Sequence, residues 1–239
     1  MEVLSGIEIY EESLFIKDLN LLVFGDLHIG KELALKKSGI LVPINQTKEL
    51  VKKISSIIKI TKPKKIVING DLMHSFGELN HIDWEDITNL IKSIRVNSKD
   101  VKITIIKGNH DTSLKPLIDK LKLNFADYYL EKNILICHGD KIPEKINETK
   151  TIIIGHQHPL VTLQSEGKSE NYKCYLKGKY KKANLIVMPA INPLSKGQNV
   201  LTKSSITPFI DESKLLNFEV YILGDKVYYF GKLKNLKNL

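Results

Sequence analysis

The sequence is poor in the residues that mark several common classes of protein. It has two cysteines, Cys137 and Cys174, in 239 residues. Two are too few for a disulfide framework and lack zinc-ribbon spacing, so reduced thiols are expected. No apolar run approaches the roughly 18 residues that a membrane span needs. The opening MEVLSGIEIYEE has neither a basic start nor an apolar segment of signal-peptide type. A soluble, cytoplasmic protein with no membrane partner is expected. Arginine is nearly missing: Arg95 is the only one, and the formal charge of +9 comes almost wholly from lysine. That surplus suits an anionic partner such as nucleic acid. Lysine richness also follows from heat adaptation, so charge alone leaves the partner open. No repeat, low-complexity tract or Pro/Gly/Ser linker divides the chain, and residues 1–239 read as one domain.

What is present is a series of short apolar runs: IEIY, LNLLVF, KIVING, VKITIIKG, NILICHG, TIIIGH, ANLIVMPA and EVYILGDKVYYFGKL. Several are continuous rather than alternating, as expected of strands covered on both faces. The last reads as a hairpin with a two-residue turn at Gly224-Asp225. Two segments have helical period instead. Leu50, Ile54, Ile57 and Ile58 mark residues 46–60. Trp84, Ile87, Leu90, Ile91 and Ile94 mark residues 83–94, with Asp83 as the expected N-cap. A short helix is expected around 113–122, and the KLKNLKNL tail reads as a frayed end or a small interface. Strand and helix alternate early and strand dominates later, which argues for a layered α/β or α+β domain.

The apolar runs share an ending. LLVF is followed by Gly25-Asp26-Leu27-His28, IVIN by Gly70-Asp71, and ITIIK by Gly108-Asn109-His110-Asp111. ILIC is followed by His138-Gly139-Asp140, and TIII by Gly155-His156-Gln157-His158. In layered α/β domains, sites gather where the C-terminal ends of strands converge. Five of the seven histidines lie in this set, so the polar groups are expected in one cleft. Carboxylates, an amide oxygen and imidazoles suit divalent manganese, iron, zinc or nickel, and the lack of cysteine argues against structural zinc. Asp26, His28, Asp71, Asn109, His138, His156 and His158 are too many donors for one ion. With Asp71 as a bridge they serve two, and paired ions suit in-line displacement at phosphorus.

In this order, D-x-H, G-D, G-N-H-D, H and G-H-x-H, the motifs resemble those of the calcineurin-like metallophosphoesterases. VFGDLHIGKE, GDLMHSFG and MPAINPLSKG resemble a narrower branch, the archaeal ICC-like phosphoesterases related to the SbcD nucleases, whose bacterial relatives accompany DNA-repair ligases and helicases. The resemblance implies a four-layer αββα sandwich. It implies a first metal on Asp26, His28 and His158, a second on Asn109, His138 and His156, and Asp71 between them. It also implies attack on phosphorus by a metal-bridging hydroxide, with Mn²⁺ the leading cofactor. His110 is assigned to the scissile phosphate or leaving oxygen, with Asp111 fixing its ring. His74, Lys31 and Asn192 are candidate substrate contacts, and Ser195 lies in the same late loop as Asn192; Lys31 and Glu32 equally suit an ordinary first helical turn.

Metal ligands leave the substrate open. A DNA-acting phosphodiesterase or nuclease is favoured by the branch, by the charge, and by KSENYKCYLKGKYKK (168–182), where lysines can hold phosphates and tyrosines can stack bases. The same segment also reads as a solvated edge strand. A small-molecule or cyclic-nucleotide phosphodiesterase or phosphomonoesterase is the alternative, since the chain is short for a nuclease with a DNA-engaging cap domain. A catalytically silent scaffold is the third reading, although the full ligand set is retained. Oligomeric state is left open.

Overall fold

The computed structural model describes residues 1–42, 45–74, 81–165, 167–202 and 204–238. The last three residues of the GDLMHSFG stretch and Leu239 lie outside these. One sheet has β1 (Glu2–Leu4), β2 (Ile7–Tyr10), β3 (Ser13–Ile16), β4 (Leu21–Phe24), β5 (Lys65–Asn69), β6 (Lys102–Ile106) and β7 (Asn124–Ala126), paired in that order. β1 to β4 are antiparallel, and β4 to β7 run parallel. The other has β8 (Tyr128–Glu131), β9 (Ile134–Cys137), β10 (Thr151–Ile154), β11 (Pro159–Ser165), β12 (Lys168–Tyr180), β13 (Ala183–Val187), β14 (Gln198–Asn199), β15 (Glu219–Leu223) and β16 (Val227–Lys232). Its order is β14-β11-β12-β13-β10-β9-β8, with β15 on β12 and β16 on β15.

The continuous apolar runs are explained by which face each residue takes. In β4, Leu21 and Val23 enter the core between the sheets while Leu22 and Phe24 enter the core under the helices. β10 divides in the same way: Ile153 faces the other sheet, and Ile152 and Ile154 face outward into a third core. A strand with two buried faces has no polar position to alternate with.

Helices cover the outer face of the first sheet. They follow α1 (Lys31–Lys37) and are α2 (Gln46–Thr61), α3 (His81–Asn97) and α4 (Lys115–Lys120). The apolar stripes expected of α2 and α3 are buried there, with Trp84 packed at the margin. Asp83 lies inside the first turn of α3 rather than before it, because the helix starts at His81. The second sheet is covered more thinly, by α5 (Glu212–Leu215), 3-10 turns and loops carrying Ile146, Phe209 and Phe218. The four-layer architecture therefore holds with a slight fourth layer. The described part of the tail belongs to that layer, with Leu233 and Leu236 buried in it. The β15–β16 turn has three residues, since Leu223 pairs with Val227 and Gly224 N–H donates to the Lys226 carbonyl.

Candidate metal centre

Five strands bring their C-terminal ends to one edge of the sandwich. β4, β5 and β6 are mutually parallel, as are β9 and β10. The residues that follow them meet there as a buried cluster. Asp26, Asp71 and His138 are 1%, 2% and 1% exposed, and His28 is 4% exposed. His156, His158, Asn109 and His110 are half-buried and form its open side.

The backbone at the cluster is unusual. Asp26, His28, Asp71, His156 and His158 all have positive φ, from 44° to 60°. Non-glycine residues persist there only where their surroundings impose it, at a cost on the order of 1–3 kcal/mol each. Left-handed residues at both 26 and 28 and at both 156 and 158 turn the chain so that donors two apart address one space. The flanking glycines have a second role, close approach. A Cβ on Gly70 would stand 2.2 Å from His138 Nδ1, and one on Gly108 would stand 2.2 Å from Asp71 Oδ1.

The donors fall into two sets joined at Asp71. In the first, His158 Nε2 lies 3.0 Å from Asp26 Oδ1 and His28 Nε2 lies 3.7 Å from Asp71 Oδ2. In the second, His138 Nε2 is 3.5 Å from Asp71 Oδ1, 3.0 Å from Asn109 Oδ1 and 3.1 Å from His156 Nδ1. Ligand atoms of Asp26, His28 and His158 lie within 4.8 Å of one another, as do those of Asp71, His138 and His156 and, at the rim, those of His28, His74 and His110.

This arrangement fits bound cations. Both ring nitrogens of His28 are buried without a hydrogen-bond partner, and Asp26 Oδ1 and His158 Nε2 meet only each other, a cost that native interiors avoid. Burial pushes the Asp71 carboxyl up to about 7, with Asp26 and Asp111 adding to the rise and His138 opposing it. Burial would raise Asp26 too, but the His158, His138 and His28 imidazoles hold it well below the usual carboxylate range. Burial holds His28 near 2 and His156 near 4, which keeps both rings in the neutral form that ligates metals. His138 rises instead: burial would lower it, but Asp26, Asp71, Asp140 and Asp111 outweigh that.

His110 stands beside the cluster, its Nε2 3.8 Å from Asp71 Oδ2. Its Nδ1 meets the His74 carbonyl at 2.5 Å. A carbonyl only accepts, so Nδ1 carries the proton and Nε2 is the basic atom of the neutral ring. The contact expected from Asp111 is thus supplied by His74. Asp111 is fully buried and accepts from Gly108 N–H at 3.0 Å and Met73 N–H at 3.2 Å, tying the turns after β5 and β6 together. The His74 ring stacks on that of His110 at 5.8 Å, and burial lowers its pKa to about 4.

The remaining candidates separate. Lys31 is half-buried at the start of α1, its Nζ donating to the buried Ser195 Oγ at 3.1 Å. Asn192 is engaged by the backbone, not by the cleft. Its amide donates to the Leu27 carbonyl at 2.5 Å, and its oxygen accepts from Leu194 N–H at 2.8 Å. Glu32 accepts from Gln46 N–H and pairs with Lys36.

The lysine-rich segment has a strand on both sides only at Leu176 and Lys177, and its exposed start, 168–171, keeps the character of a solvated edge because 168–173 pair with β11 alone. It is β12, paired with β11, β13 and β15. Lys173 points inward, Lys177 pairs with Glu219, and Lys179 donates to Asn184. Lys181 sits over the Tyr180 ring, and Tyr175 is buried with its hydroxyl on the Glu11 carbonyl. Tyr180 pairs with Ala183, the end of β13 opposite Val187. Residues 179–182 therefore lie at the pole away from the cluster. Lys173, half-buried, departs furthest from the sequence expectation, because nothing in a run of lysines marks the one that turns inward.

Residues 19–224 match the model of the calcineurin-like phosphoesterase family. The chain belongs to that family. It is a metal-dependent phosphoester hydrolase, and its His/Asp clusters have the donor types and spacing that suit metal ions. No curated protein matches it. Among solved structures it is similar to the nuclease MPE of Pseudomonas putida, at 18% identity over 92% of each chain with a TM-score of 0.63. At that identity the likeness is one of fold. Weaker likenesses include the phosphoesterase YfcE of E. coli, at 14% identity over 90% of this chain and 94% of that one, TM-score 0.36. Another is the zinc complex of Vps29 from Entamoeba histolytica, at 15% identity over 87% and 96%, TM-score 0.38. Among the described residues no helix is long and apolar enough to cross a membrane.

Proposed function

We propose that this phosphoesterase hydrolyses phosphodiesters, with DNA as its substrate and Mn²⁺ as its metal. The observation that carries the diester reading is the pair of donor sets sharing Asp71, with His110 on their open side. When bound, two divalent ions supply charge neutralisation at phosphorus and an activated water at neutral pH. Asp26, His28 and His158 would hold one and Asn109, His138 and His156 the other, with Asp71 between the two sets. His110 Nε2 takes up a proton from solvent beside the phosphodiester monoanion and delivers it to the leaving oxygen, while the His74 carbonyl fixes the ring. Lys31, poised by Ser195, gives the phosphate a cationic contact.

DNA as substrate is supported by the +9 charge and by the fold shared with a nuclease. The dispersal of the β12 lysines favours a second reading, a small-molecule phosphodiesterase. A metal-resolved activity panel on chelator-stripped protein separates the two. Mn²⁺-dependent cleavage of single- or double-stranded DNA is the expected result. Turnover of bis(p-nitrophenyl) phosphate with DNA untouched selects the second reading.

A further inference from the structure

Lys173 sits in a lysine-rich stretch of the chain, yet its ammonium turns inward onto main-chain carbonyls. Its Nζ donates to the carbonyls of Ala190 and Asn192, each at 2.7 Å, and lies 3.7 Å from Glu12 Oε1. Glu12 pairs in turn with Lys53. Burial lowers the Lys173 pKa to about 8, which leaves it mainly protonated at neutral pH. A buried charge is tolerated where it is paired and hydrogen-bonded, and removing its partners is costly. Here the partners are main-chain carbonyls of the segment that follows β13.

That segment is stitched to the first donor set. Ile191 N–H donates to the Gly25 carbonyl at 3.1 Å, and the Asn192 amide to those of Leu27 at 2.5 Å and His28 at 3.5 Å. Further along, Gln198 N–H donates to the His158 carbonyl at 2.9 Å. The segment thus grips the turns that carry Asp26, His28 and His158. Among the described residues, no hydrogen bond joins residues 189–198 to Asn109, His138 or His156.

We propose that Lys173 is a positioning residue for the first cation. By holding the carbonyls of 190 and 192 it fixes Asn192, and Asn192 fixes the left-handed turn from which Asp26 and His28 project. The inference rests on the two-ion reading above. Left-handed aspartate and histidine need an external constraint, and outer partners of metal ligands typically tune affinity by about 10–100-fold.

The test is titration of chelator-stripped protein with Co²⁺, followed by calorimetry and by visible absorption of the bound ion. Wild type is expected to show two classes of site, one removed by His158→Ala and the other by His156→Ala. Lys173→Met keeps the aliphatic stem and removes the donors. It is expected to weaken only the class that His158→Ala removes, by about tenfold or more, and to change only that part of the absorption spectrum. Turnover should fall at limiting metal and recover at saturating metal. Asn192→Asp, which removes the amide donor at the other end of the link, should give the same selective loss even if Lys173→Met fails to fold. Equal weakening of both classes, or no weakening in Asn192→Asp, overturns the proposal. One class or none in wild type overturns the two-ion reading instead.

Discussion

Two groups of residues behave in opposite ways. The metal-ligand types are scattered between residues 26 and 158, yet they meet in one buried cluster. The lysines of residues 168–182 are neighbours in sequence, yet they part into a half-buried ammonium on main-chain carbonyls, a paired cation and a distant pole. The difference lies in what each set is attached to. A group just past a parallel strand is delivered to the same edge as its counterparts, whatever the sequence distance. Groups along a strand are spread over about 3.3 Å per residue, so Lys173, Lys177 and Lys179, which share a face of β12, still end far apart along it. Position relative to strand ends carries function here, and local density of charge does not.

If the convergent set is the working part, its bridge is the most sensitive point. Asp71→Asn should lose metal, and activity should fall by more than about 100-fold, beyond what outer partners typically cost. Elemental analysis alongside turnover checks both, and wild-type values for either would break the comparison. His110→Ala should lose about 10²–10⁴ in turnover while retaining full metal content. Loss of metal in that variant would place His110 among the ligands. Lys31→Gln should act mainly on KM, by about tenfold, the worth of one charge-assisted hydrogen bond. An effect confined to kcat would move Lys31 from binding to chemistry. The scattered set should respond least. Joint substitution of Lys179, Lys181 and Lys182 by glutamine should leave the slope of DNA affinity against salt unchanged, whereas loss of about 0.9 per cation would show that they contact phosphates.

Much of this was legible in advance because strand-end chemistry leaves a linear trace. Gly-Asp, Gly-Asn-His-Asp and Gly-His-Gln-His each close an apolar run, and continuous runs announce strands with two covered faces. Stripes such as Leu50, Ile54, Ile57 and Ile58 placed the helices, because a period of 3.6 survives without tertiary context. What escaped depends on contacts between segments far apart in sequence. Asp111 follows His110 directly, so the pair looked coupled, yet its carboxylate serves Gly108 and Met73 while a carbonyl from residue 74 holds the ring. Asn192 and Ser195 stand out in the late loop of the sequence, but backbone partners at 27 and 28 and a lysine at 31 decide what they do. Lys173 could not be told from its neighbours without knowing that the segment after β13 passes beside it.

The most direct test of the central claim is a crystal structure of the Mn²⁺-loaded protein, with the ions located by anomalous scattering. Two peaks about 3.5–4 Å apart, one against Asp26, His28 and His158, the other against Asn109, His138 and His156, with Asp71 touching both, are the result the account predicts. A single peak, or one seated among His28, His74 and His110 away from Asp71, would contradict it.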